Sequence, residues 1–160
     1  MRRYFSPMRR VTVCLIFSLC LMAAFASDAA TGRVIKVLPH LLDAQGRHAT
    51  SPSLYDRDAY QARLRANPAE QSGIRYDVQW KAKATTGTVK LRLELRGPAK
   101  DGVTGEKTIE TEAKPGWGGR RWSGVVLTGE EFKKFGGITA WRVTLWDGDQ
   151  LLGEQKSFLW

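Results

Sequence analysis

Between Ile74 and Arg96, apolar and polar residues alternate almost without a break. Ile74, Tyr76, Val78, Trp80, Ala82 and Ala84 alternate with Arg75, Asp77, Gln79, Lys81 and Lys83. After a turn at Thr85-Thr86-Gly87, Val89, Leu91, Leu93 and Leu95 alternate with Lys90, Arg92, Glu94 and Arg96. Successive strand side chains point to opposite faces, so the pattern predicts two half-buried β-strands that the rest of the chain must cover with a second layer. Ahead of them, Arg33 to Leu38 reads as a strand halted by Pro39, and the polar stretch from Asp43 to Ser53 reads as turns. Asp56 or Ser53 then caps a helix over about 56–66, which Asn67-Pro68 ends. Such a helix is marginal alone in water, so it must dock on the sheet through Tyr60, Leu64 and Leu54 or Tyr55.

Downstream of Gly97-Pro98, Lys100 to Gly105 reads as a loop. Glu106 to Ala113 is a weak strand with Ile109 as its sole large apolar residue, which suits a solvated edge. Lys114 to Gly119 is a second loop and Arg120 to Thr128 a further strand. Thr128-Gly-Glu-Glu131 fits a capping box, with the Thr hydroxyl serving the amide three residues on and Glu131 reaching back. It opens one helical turn bearing Phe132 and Phe135, closed by Gly136-Gly137. Trp141, Val143 and Leu145 alternate with Arg142, Thr144 and Trp146, and Asp147-Gly-Asp149 turns the chain back into Leu151 to Trp160. The loop length leaves the register of this hairpin open by one residue.

These elements predict an all-β domain: a seven-stranded antiparallel sandwich with one short helix inserted between the first two strands. Trp80 sits mid-strand, and a one-turn helix precedes Trp141-Arg-Val, where related domains often place a tyrosine. On those features, residues 32–160 resemble the immunoglobulin-like and fibronectin type III-like sandwiches. The cysteine pair of true immunoglobulin domains is absent. The chain also looks like the small exported bacterial β-sandwich proteins that carry no assigned activity. The resemblance implies a fold and no chemistry.

The N-terminus changes the picture of where that domain works. Arg2, Arg3, Arg9 and Arg10 form a positive leader, Val11 to Phe25 is apolar and uncharged, and Ala24-Phe25-Ala26 offers a small-x-small cleavage site. Residues 1–26 therefore read as a signal peptide of the general secretory kind, leaving 27–160 as one periplasmic or secreted domain without stable membrane insertion. The apolar run is shorter than the ~20 residues a spanning helix needs. Cys20 follows Leu19, where a lipoprotein signal would have a small residue. Cys14 and Cys20 both lie in the leader, so the remaining core must hold without disulfides. Removing the four leader arginines takes the formal charge from +9 to +5. That mild excess favours anionic glycans or lipid headgroups; scattered along the strands of an exported chain, it argues against nucleic acid.

Catalytic chemistry finds little support. His40 and His48 are the only histidines, and with Asp43 they make at most a surface cation site, short of the ligand set zinc needs. Ser123 lacks a nucleophile-elbow context, and no glycine loop follows a strand and opens a helix to hold phosphate. Glu130 and Glu131 are adjacent and diverge on a helix. The expectation is a non-enzyme without metal or cofactor.

The one distinctive constellation is Pro115-Gly-Trp-Gly-Gly-Arg-Arg-Trp122. Aromatic faces stack on sugar rings, and arginine forks bind carboxylate or sulfate in bidentate fashion. Trp117, Arg120, Arg121 and Trp122 are thus candidate ligand-binding residues, forming a platform for an acidic glycan or an envelope protein. The ordinary alternative has Trp117 as a lid over the sandwich end and Trp122 in the core. A basic helix face with Arg57, Arg63 and Arg65 reads as solvated surface. Three functions follow: a non-catalytic interaction or structural module of the cell envelope, a carbohydrate-binding module for acidic glycans, and an outer-membrane barrel suggested by the terminal Ser-Phe-Leu-Trp160. The barrel is disfavoured by Glu106 to Ala113, which has no face fit for lipid.

Overall fold

The computed structural model describes residues 30–83, 87–100, 103–116 and 119–160. Among them the chain forms seven strands: β1 (Thr31–Leu42), β2 (Gly73–Lys83), β3 (Val89–Lys100), β4 (Val103–Ala113), β5 (Arg121–Thr128), β6 (Ala140–Asp147) and β7 (Gln150–Lys156). Helix α1 (Leu54–Ala66) and a short 3-10 turn (Pro68–Glu70) lie between β1 and β2, and α2 (Gly129–Phe135) lies between β5 and β6. Two antiparallel sheets result, one ordered β1-β2-β5 and the other β4-β3-β6-β7. The signal-peptide reading falls on residues outside those described.

The two alternating strands do not pair with each other. β2 is the centre of the three-stranded sheet and β3 an inner strand of the four-stranded one, so each supplies part of the layer that covers the other. Tyr76, Val78 and Trp80 from β2 join Leu91, Leu93 and Leu95 from β3 in one core, with Val125 and Leu127 of β5 and Val143 and Leu145 of β6. The indole N–H of Trp80 donates to Ser123 Oγ at 3.0 Å, so the largest core side chain buries no orphaned donor. At one edge the sheets nearly touch: a Cβ on Gly153 would lie 2.9 Å from the Arg33 Cα. Glycine there permits the close approach of β7 to β1.

Several boundaries depart from the sequence reading. Pro39 does not halt β1, which runs on to Leu42 with Pro39 opposite Tyr76. β1 is an edge strand, so its missing N–H breaks no ladder. The loop expected at Lys100–Gly105 is largely strand: β3 and β4 continue through an irregularity between Arg96 and Ala99. The capping box does not form. Thr128 sits at the N-cap of α2 without a side-chain hydrogen bond, and Glu131 instead meets Lys107 Nζ at 3.1 Å. In the last hairpin Asp147 pairs with Gln150 across a two-residue turn, which Gly148 permits at φ 56°.

Helix α1 starts where Ser53 Oγ accepts the Asp56 N–H at 3.4 Å. Leu54 and Tyr55, one or the other of which the sequence reading makes an anchor, are both exposed. Leu64 is fully buried, and Gln61 takes the other buried position. The Gln61 side chain accepts from Leu41 N at 2.8 Å and donates to Leu41 O at 3.0 Å and His48 O at 2.8 Å. It thus acts as the missing strand partner for the end of β1, satisfying backbone groups that an edge leaves open. The Asp43 carboxylate organises the preceding turn, accepting from Gln45 N, Arg47 N, Arg47 Nε and the Tyr60 hydroxyl. Burial pushes this carboxyl up, but the bonds from Tyr60, Arg47 and Gln45 outweigh it and hold it at about 2.

Candidate binding face

The phase of β5 decides which side its tryptophan takes. Val125 pairs with Tyr76 and Leu127 with Ile74, all buried. Side chains of directly paired residues share a face, so Trp122, Gly124 and Val126 point outward with Gln79, Asp77 and Arg75. Trp122 is 51% exposed and Val126 48%. The alternative that placed Trp122 in the core is therefore wrong. The inward positions of β5 belong to Ser123, Val125 and Leu127, and the β2 register leaves the indole outside.

The same register builds a basic surface around that ring. Across the outer face, Lys36 of β1 lies opposite Gln79, which lies opposite Trp122. One step along, Arg33 stands directly opposite Lys81, with Arg120 just ahead of β5. Arg33, Lys81, Lys83 and Arg120 line an open cleft of about 890 Å³ at this end of the sheet, and no acidic residue lines it. Among the described residues no carboxylate pairs with Arg33, Lys36, Lys81 or Arg120. Like charges directly opposite on a sheet repel, so this arrangement lacks an internal reason.

Of the four candidate residues, the face unites two. Arg120 and Trp122 border it. Arg121 pairs with Trp80 and so takes the other side of the strand; its guanidinium lies against Gly116, where a Cβ would come within 2.1 Å of Nε. Trp117 lies outside the described residues. The contributions of Lys36, Gln79 and Lys81 went unmarked in the sequence, because alternation gives the charged side of each strand but not which strands lie side by side.

Farther along this sheet, Asp77 is the one carboxylate among the outward residues of its three strands. It accepts from Arg75 Nε at 2.8 Å and faces His40 Nε2 at 3.7 Å. The guanidinium of Arg75 lies over Gly124, where an added Cβ would stand 2.9 Å from its Nη2. The His40 and His48 rings lie tilted at 33° to each other with centroids 5.1 Å apart. Burial lowers the His40 ionisation, and the His48 charge adds to this against the pull of Asp77. Asp43 is committed to its own turn, so the histidine–aspartate cation site raised by the sequence is not assembled. Among the described residues no cluster of three or more potential ligand side chains could hold a metal, and no helix is long and apolar enough to cross a membrane. Chemically, the face can stack a flat ring on Trp122 and pair anionic groups with the cations beside it. Comparison of the chain with protein families, with curated proteins and with solved structures finds no match.

Proposed function

We propose that the protein is an exported, non-catalytic binding module of the bacterial cell envelope, and that it takes an anionic glycan across the outer face of its three-stranded sheet. The observation that carries this reading is the half-exposed Trp122 in register with Gln79 and Lys36, beside Arg33, Lys81 and Arg120 with no carboxylate among them. A uronic or sulfated sugar offers a ring for the indole and charges for the cations. The leader in residues 1–26 supports export, with release from the membrane once it is cleaved. The strand order β1-β2-β5 over β4-β3-β6-β7 supports a fibronectin type III-like arrangement, a scaffold that serves recognition in many settings. An envelope protein is the second reading, favoured by Val126 and Leu38, which add apolar area to the same face.

Titration with polygalacturonate, and with dextran as the neutral control, tests the proposal. Polygalacturonate binding should weaken steeply as salt is raised, and Trp122→Ala should reduce it about tenfold. Dextran should bind far more weakly. Equal binding of both polymers, or polygalacturonate binding that Trp122→Ala leaves unchanged, overturns the assignment.

A further inference from the structure

At the far end of β1 from the Gly153 approach, the sheets part and leave a cleft of about 740 Å³. Its walls are Leu41, Ile74, Tyr76, Phe132, Ile138 and Trp141, so the inward faces of both sheets and the α2 corner contribute. That size falls within the range of small-molecule sites, and so does an apolar lining with few polar groups. Two of those polar groups carry the inference.

The first is Tyr76, which is 1% exposed and lines the cleft. Its hydroxyl makes no hydrogen bond to any described residue, and burial alone moves its ionisation upward. The hydroxyl is open to the cleft rather than sealed in the core, so it can donate a hydrogen bond to a ligand oxygen placed there. The second is Arg65, on α1 at the rim, for which no described carboxylate is a partner. Lys133 stands on the opposite rim, held to Glu130 at 3.2 Å, and no acidic residue lines the cleft. Apolar walls, a donor inside and cations at the mouth complement one class of molecule.

We propose that this cleft binds an anionic amphiphile of the fatty-acid class, its chain against the aromatic walls and its acidic head within reach of Tyr76 and Arg65. The site is separate from the sheet face, and either assignment can fail without the other.

Fluorescence titration of the protein with decanoate, below its micelle concentration, tests it, with uncharged decanol as the comparison ligand. Decanoate should saturate one site and decanol should bind at least about tenfold more weakly, as loss of a charge-assisted hydrogen bond implies. Arg65→Glu should weaken decanoate by about tenfold or more while leaving decanol unchanged. Tyr76→Phe should weaken decanoate several-fold at an unchanged denaturation midpoint, because the hydroxyl has no partner among the described residues. A lowered midpoint would mean that the hydroxyl serves the fold and would overturn its role as a ligand donor. Equal affinity for decanoate and decanol, no saturable binding, or full decanoate binding in Arg65→Glu would each overturn the proposal.

Discussion

On the outer face of the four-stranded sheet, Arg142 grips Glu94 through bonds of 2.7 and 2.8 Å; on the three-stranded sheet, Arg33 and Lys81 stand opposite each other with no carboxylate between them. The first face is charged and internally settled. Arg92 meets Glu110 at 2.7 Å, Lys90 meets the same carboxylate at 3.1 Å, and Arg96 reaches Glu106 at 3.5 Å. Its tryptophans are covered by cations: Arg92 lies over Trp146 at 5.2 Å, and Arg96 and Arg142 lie over Trp160 at 4.0 and 4.9 Å. On the second face Trp122 is 51% exposed, and among the described residues no carboxylate pairs with Arg33, Lys81 or Arg120. Similar residue types thus do different jobs, and cross-strand register separates them.

Both faces rest on one core, so the largest effect should come from beneath them. Trp80→Ala removes a side chain that is 1% exposed and leaves a cavity, costing roughly 3–5 kcal/mol. Trp122→Ala removes a half-exposed ring and should cost under about 1 kcal/mol while weakening polygalacturonate binding about tenfold. Chemical denaturation of the two variants gives both values. If Trp122→Ala proves as damaging as Trp80→Ala, the indole is a structural element and the contrast between the faces collapses.

A smaller effect should come from unsettling the paired face. Glu94→Gln leaves Arg92, Arg96 and Arg142 facing one another without their shared carboxylate. The loss should be about 1–2 kcal/mol, above that of a lone surface pair because two charge-assisted bonds go together. A midpoint unchanged in urea would show that this ladder is ornamental for stability.

Much of this contrast was legible before the fold was known, and the limits have physical causes. β2 and β3 were readable because each has one uninterrupted phase, which only a half-buried strand produces. Trp122 was not, because Val125, Val126 and Leu127 form a continuous apolar run that fits either phase; the pairing with β2 chooses. Gln61 was missed because a glutamine facing a sheet edge leaves no periodic trace, and Leu54 and Tyr55 were misplaced by an apolar character that their surroundings ignore. The Glu131 cap lost to Lys107, a residue from β4 that no local motif could foresee. For the candidate face, the residue types were visible and their juxtaposition was not.

The faces should also respond to acid in different windows. His40 is lowered by burial and then by the His48 charge, with Arg57 and Arg75 adding to this and Asp77 opposing. The folded state then holds fewer protons than the unfolded chain, so stability falls as pH drops through the ordinary histidine value near 6.5. Glu94 is lowered mainly by its bond from Arg142, against burial, so its contribution is intact above the ordinary value of 4.5 and lost as pH falls below it. Denaturation midpoints measured from pH 8 to 3 should decline first near 6.5, a step that His40→Gln flattens, and again below 4.5, a step that Glu94→Gln flattens. A single step common to both variants would mean that the faces are not electrostatically separate.

The smallest expected change has the opposite sign and is the sharpest test of the contrast. Lys81 faces Arg33 across the β1–β2 ladder, and a like-charged pair directly opposite is destabilising by roughly 0.2–1 kcal/mol. Lys81→Thr relieves that repulsion with a residue that favours strands, so it should raise stability by a few tenths of a kcal/mol. The control is Lys90→Thr on the other face, which removes the partner of Glu110 at 3.1 Å and should lower stability by a similar amount. To separate strand propensity from charge, the double variant Arg33→Thr/Lys81→Thr should gain less than the sum of the two single variants, since either change alone removes the repulsion. The gain must also come with weaker polygalacturonate binding. Repulsion retained in the free protein and relieved by an anionic ligand is what a binding surface predicts, and stability traded for function is its usual form. If Lys81→Thr destabilises the protein and leaves binding intact, Lys81 is a structural cation and the basic face has no claim to a ligand.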